Sequence, residues 1–182
     1  VISLGNIFSG VKAALFGGDP GAHMDMSRAA FPKSFYALIA AGFLILAAVL
    51  LGSGAAANVS PALTVIAITL YFLTAPTVIY TICHLLSKPE LFRPWIIVRN
   101  WLTLFVSIAI FVLAGLSALS PAPAGIAGSG ILLLWIATLL ADIRLAQTLV
   151  KQDWTPAIFI ACGISVAGML VLLAVFASAS GY

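Results

Sequence analysis

Residues 138–153 read TLLADIRLAQTLVKQD, which places a carboxylate, Asp142, and a guanidinium, Arg144, at the end of an almost pure hydrocarbon run. Two residues apart on a helix, these side chains point to nearly opposite sides and cannot pair with each other. Each needs its own partner. Arg144 is long enough to carry its charged end out to a headgroup layer. Asp142 is not. Counting about 20 residues of hydrocarbon from Ile126 brings the membrane boundary near residue 146, so Asp142 lies about one turn inside, roughly 6 Å. A carboxylate there must be protonated, hydrated or paired within a bundle.

Groups able to receive it stand at a similar depth. Arg99 and Asn100 lie just over one turn inside one apolar run, and His84 about one turn from the end of another. Thr74, Thr77, Thr81 and His84 are spaced three, four and three apart and share a helical face, with Tyr80 beside them. Pro76 deprives the Phe72 carbonyl of its donor, so a bent helix with hydroxyls beside the bend is expected. The predicted polar layer is therefore Asp142, Arg99, His84, Asn100, Thr77, Thr81 and Tyr80. Two chemistries fit it. One is a proton or ion half-pathway open to the cytoplasm. The other is a structural clasp joining the second, third and fourth of five membrane spans. A pathway needs polar groups on both sides of the midplane, and the outer halves of the spans offer only a few hydroxyls and Asn58. The clasp is the favoured reading.

Other chemistry has few candidates. There is no HExxH, no Walker loop, no cysteine cluster and no convincing grouping of Ser, His and an acid. Cys83 and Cys162 fall in separate apolar runs and read as buried small hydrophobes. The chain has two histidines, His23 alone in a loop and His84 within a span, which disfavours a bis-histidine haem. No catalytic residue, metal or cofactor is expected, and the chain reads as a non-enzyme.

The elements that must position the polar layer follow from composition. The chain has 182 residues, 63% hydrophobic and only 7% charged, with mean hydropathy +1.22. A soluble domain averages about 25% charged residues, so most of this surface must meet lipid. Five segments satisfy the need for roughly 20 apolar residues: about 34–54, 61–86, 95–119, 125–150 and 155–179. Pro61, Pro94 and Pro156 lie at or beside expected helix starts, where a missing N–H costs nothing. The fold class is thus all-α, a polytopic bundle of five transmembrane helices. All eight basic and five acidic side chains fall on one side of that arrangement. The positive-inside rule makes that side cytoplasmic, with the N-terminus in and the C-terminus out. Asn58 and the uncharged ASASGY tail belong to the opposite side. The net charge of +3 is then a matter of topology, and no nucleic-acid partner is expected. Trp95, Trp101 and Trp154 read as interfacial rings, and Trp135, in mid-span, as filling a gap between helices or facing lipid, with core packing favoured.

Residues 1–33 read as a separate cytoplasmic segment, and 34–182 as the membrane domain. Leu4, Ile7, Phe8, Val11 and Leu15 form one stripe of an amphipathic helix, too short to span and suited to lie in the headgroup layer. It can sense lipid or curvature, or simply anchor on the protein's own helix ends; the anchor is favoured. Gly17, Gly18 and Pro20 end it, and Asp25 or Ser27 is placed to cap a turn before the first span. No short apolar core with a small-residue cleavage site is present, so no cleavable signal peptide is expected. In the fifth span Ala161, Ser165 and Gly168 make a small-residue face for helix packing, against the bundle or another subunit. Gly125, Gly128 and Gly130 offer the same in the fourth.

An amphipathic N-terminal segment, five spans, N-terminus in and C-terminus out resembles the bacterial Yip1-type membrane proteins. The stretch FGGDP followed by MDMSRAAFPKSFYA also resembles the opening of uncharacterised alphaproteobacterial five-span inner-membrane proteins. The resemblance implies a bacterial inner-membrane location and no catalytic residues. The leading expectation is a non-catalytic accessory or scaffold subunit, with membrane lipids, other integral membrane subunits or itself as partners. A small transporter or proton channel using the polar layer is the alternative, and a membrane-remodelling protein acting through residues 2–16 a third.

Overall fold

The computed structural model describes residues 3–52, 60–119, 124–151 and 153–179. Asn58, the connection at 120–123 and the tail beyond 179 lie outside the described residues, as do the surroundings of Gly125, Gly128 and Gly130 within their helix. Among the described residues the chain is all-α. Its helices are α1 (Leu4–Phe16), α2 (Ala30–Gly52), α3 (Pro61–Leu85), α4 (Phe92–Leu119), α5 (Ala124–Val150) and α6 (Trp154–Ala179), with short 3-10 turns at Pro20–Ala22 and Pro89–Leu91. Four segments are long and apolar enough to cross a membrane: Ala30–Leu51, Pro61–Leu85, Pro89–Leu119 and Trp154–Ser178. By helix length and hydropathy the chain is a polytopic membrane protein. The expected span over 125–150 falls on α5, which has 27 residues but is not among the four. Side chains of its first turns lie outside the described residues, and its last turns carry Asp142 and Arg144.

Helix starts follow local chemistry. The Ser27 hydroxyl accepts from the Ala30 N–H at 3.3 Å, and Asp25 accepts from the Ser27 N–H at 2.8 Å. Both residues therefore cap, in relay, and α2 begins four residues before the expected boundary. Pro32, Pro61, Pro94 and Pro156 all sit within the first three helical positions, where the backbone N–H has no intrahelical partner to lose. Helix α3 runs unbroken through Pro76.

Spatial order departs from chain order. The main seams pair α2 with α4, α4 with α5, α5 with α6, and α6 with α3. Consecutive helices α2 and α3 touch only lightly, and an apolar groove of about 380 Å³ opens between them, lined by Phe35, Gly42, Phe43, Val65 and Phe72 among others. Small residues mark the seams. Helix α2 buries Ala37, Ala41 and Ala48, and α6 buries Ala157, Ala161, Ile164 and Gly168. Between helices in lipid, close backbone approach and dispersion replace the hydrophobic drive available in water. Of the expected packing face, Ala161 and Gly168 are buried and Ser165 is half-buried.

Helix α1 lies across α4 and α5. It buries Ile7, Gly10, Val11 and Ala14, an i, i+3, i+4, i+7 stripe. Leu15 is half-buried, whereas Leu4 is 68% and Phe8 59% exposed. The five-residue apolar stripe is thus divided. Its inner edge, completed by Gly10 and Ala14, is buried on the bundle; of its outer edge, Phe8 meets Phe105 of α4 edge to face at 5.7 Å while staying mostly exposed. Gly10 matters because a Cβ there would stand 2.6 Å from Met24 Sδ. Gly17 ends α1 in the left-handed region at φ 78°, with its N–H bonded back to Ala13.

The charged connectors meet at one end of the bundle. Ser87 and Lys151, both at φ 56°, close α3 and α5 in left-handed turns. The Lys88 ammonium then donates to the Val150 carbonyl at 3.0 Å, placing a cation on an orphan acceptor at the negative end of α5. A Lys88→Met variant is expected to lose about 1–2 kcal/mol of stability, read as a melting temperature lower by several degrees in detergent. Lys88→Arg should retain most of it.

Candidate functional site

Asp142 is fully buried on α5, among Ala141, Ile143, Leu145 and Ala146. Its carboxylate accepts from Arg99 Nε of α4 at 3.1 Å on Oδ1 and 3.0 Å on Oδ2. Trp95 Nε1, one turn earlier on α4, donates to Oδ1 at 3.3 Å. A single guanidinium N–H is shared between both oxygens, so the pair lacks the two parallel bonds of a fork-to-fork contact. Exposure is asymmetric, 0% for the Asp142 side chain and 13% for Arg99. Among the described residues no buried side-chain nitrogen or oxygen lacks a partner.

A second polar link lies beside the first. Asn100 Nδ2 donates to Ser34 Oγ of α2 at 3.0 Å, and Ser34 Oγ donates on to the Phe31 carbonyl at 2.8 Å. Asn100 and Ser34 are both buried. Adjacent residues on α4 therefore reach in different directions, Arg99 to α5 and Asn100 to α2. Helix α4 is the hub.

The remaining members of the predicted layer stand elsewhere. Tyr80 and His84 are exposed on α3 and stack on each other at 5.3 Å, and Thr77 and Thr81 are exposed too. The Thr74, Thr77 and Thr81 hydroxyls bond to carbonyls four residues back on their own helix. They need no interhelical partner for that reason. Helix α3 packs chiefly on α6 rather than on α4, and Tyr80 reaches α4 at Phe92, edge to face at 5.5 Å and seven residues before Arg99. The second span thus takes no part in the Asp142 contacts, and α2 enters through Ser34 instead.

Two contributors are absent from the sequence-based layer. Trp95, read as an interfacial ring, is fully buried against the carboxylate. Its signal was the four-residue spacing to Arg99, which sets both on one helical face. Ser34 carried no comparable signal. Arg144 leaves the Asp142 side, as its spacing requires. Its guanidinium lies 4.4 Å from the Trp154 ring centroid and donates to Gln147 Oε1 at 3.1 Å. Among the described residues no three His, Cys, Asp or Glu side chains are grouped to hold a metal, and Cys83 and Cys162 are free thiols. The arrangement joins α4 to α5 through a buried charge and its counter-charge. Comparison with family models, with curated proteins and with solved structures finds no match to the chain.

Proposed function

We propose that this chain is a non-catalytic, five-span subunit of the bacterial inner membrane, N-terminus in and C-terminus out. It acts as an accessory or scaffold for other membrane proteins. The observation that carries the reading is the closed coordination of Asp142. Both carboxylate oxygens are engaged by Arg99 and Trp95, and the side chain has no exposed surface. A proton carrier must exchange with water; a carboxylate enclosed in this way serves as a clasp. Helix α5 completes the five spans on this reading, its charged last turns emerging among the cationic connectors. The outer face of α6 supplies a contact strip: around Gly163 nothing stands within 4 Å of a Cβ position, so a neighbouring helix can approach its backbone.

Two measurements test this. Liposomes containing the chain and a pH-sensitive dye should leak protons no faster than empty ones; a flux abolished by Asp142→Asn would overturn the clasp. Purification in mild detergent from native membranes should bring companion membrane proteins, and Gly163→Leu should release them while the fold survives. A lone monomer in the first preparation counts against the scaffold.

A further inference from the structure

Where α1, the 17–29 connector, the start of α2 and Trp101 of α4 meet, there is an open recess of about 220 Å³ whose polar side chains are exposed. Its lining includes Ser3, Asn6, His23, Asp25, Lys33 and Trp101, whereas the other described recesses are lined almost wholly by apolar side chains. Asp25 and Lys33 both border this space without meeting in an ion pair. Asp25 is fixed by the Ser27 N–H at 2.8 Å. The backbone N–H and hydroxyl of Ser27 hold its carboxyl below the usual carboxylate range, and the nearby Lys33 charge adds to this. It remains an anion at neutral pH. An ionised carboxylate offers about four acceptor sites, so capacity is left over. The side chains of Asn6, His23 and Lys33 have no hydrogen-bond partner among the described residues.

Position supplies the second observation. The recess sits between an amphipathic helix and the first turn of a membrane-length helix, which is headgroup depth. Tyr36 and Phe43, on α2 beyond Lys33, are exposed apolar surface leading away from it. We propose that this recess holds the headgroup of an aminophospholipid, phosphate on Lys33 and Asn6, primary ammonium on Asp25, acyl chains along Tyr36 and Phe43. One fixed anion and one cation match a zwitterion in sign and number. A trimethylated ammonium has no N–H to give Asp25, and an anionic glycerol headgroup leaves that carboxylate without a cation. The proposal rests on the membrane reading of α2 and not on the scaffold role.

Native mass spectrometry of the full chain in mild detergent tests it. The lipids are equimolar phosphatidylethanolamine, phosphatidylcholine and phosphatidylglycerol with identical acyl chains. Retention of the ethanolamine lipid should exceed each of the others by about tenfold, a difference that one well-placed charged hydrogen bond supplies. Asp25→Asn should bring phosphatidylcholine level with it, and Lys33→Gln should weaken all three. Equal retention of the three lipids by the unaltered chain overturns the proposal whatever the variants do. Displacement of the retained lipid by millimolar glycerophosphoethanolamine overturns the lipid as its source.

Discussion

Arg99→Gln should cost the bundle more stability than Asp142→Asn, although the two residues form one contact. Removing one partner of a buried pair costs about 3–5 kcal/mol, because the other charge is left uncompensated. The two survivors fare differently here. With Asn at 142, the Arg99 side chain, already 13% exposed, can swing its charge outward to the headgroup layer, and the loss falls near 3 kcal/mol. With Gln at 99, Asp142 remains fully buried with only the Trp95 N–H at 3.3 Å. That loss approaches about 5 kcal/mol unless the carboxyl takes up a proton. The double variant should lose less than the sum, leaving a coupling of about 2–3 kcal/mol. Trp95→Phe should cost about 1 kcal/mol. Titration with a denaturing detergent, followed by helicity, gives all four values. Additive losses would remove the direct pair from the account, and a larger loss at 142 than at 99 would contradict the exposure argument.

The pairing of Asp142 with Arg99 was legible because few charges occur at lipid depth and an intramembrane acid has few ways to survive. Depth can be counted from sequence; azimuth around the bundle cannot. His84, Thr77, Thr81 and Tyr80 count to the depth of Asp142 along the sequence, yet none of them bonds to it, because α3 packs chiefly on α6 and meets α4 at Phe92. Chain order encourages the opposite expectation, since helices joined by short connectors are the natural neighbours. Small residues overrule it. Ala37, Ala41 and Ala48 let α2 approach α4, and Ala157, Ala161 and Gly168 form the corresponding stripe of α6. Their spacing is visible in the sequence, but it does not name the partner helix. The same ambiguity divides α1. Leu4, Ile7, Phe8, Val11 and Leu15 read as one apolar face, whereas the buried edge includes Gly10, which lets Met24 come close, and Ala14, with Val11 packed on Leu102 of α4 and Ala141 of α5. Helix existence and the cluster of charges at one end needed only composition and hydropathy. The hub role of α4 needed the packing order, and Trp95 looked interfacial until its neighbour across the seam was known.

Packing order is itself testable at Gly168. A Cβ at this position would stand 2.7 Å from Tyr71 Cε2 and 3.1 Å from Cδ2, closer than carbon atoms can rest. The Tyr71 ring also lies 6.0 Å from Phe72, centroid to centroid, which limits its retreat. Gly168→Ala should therefore cost about 1 kcal/mol, and Gly168→Leu about 3 kcal/mol, by forcing α6 away from α3. Water does not drive these helices back together, so a lost backbone approach is not recovered elsewhere along the seam. Gly163, five residues earlier, has open space where a Cβ would stand. There Gly→Ala should be neutral or stabilising by up to about 1 kcal/mol, through helix propensity alone. Pairing Gly168→Ala with Tyr71→Ala should recover part of the loss, because the second change empties the space that the new methyl needs. Thermal unfolding of the four variants in one detergent separates the cases. If Gly168→Leu melts with the unaltered protein, or if the two glycines respond alike, the α3–α6 seam is not where the bundle closes.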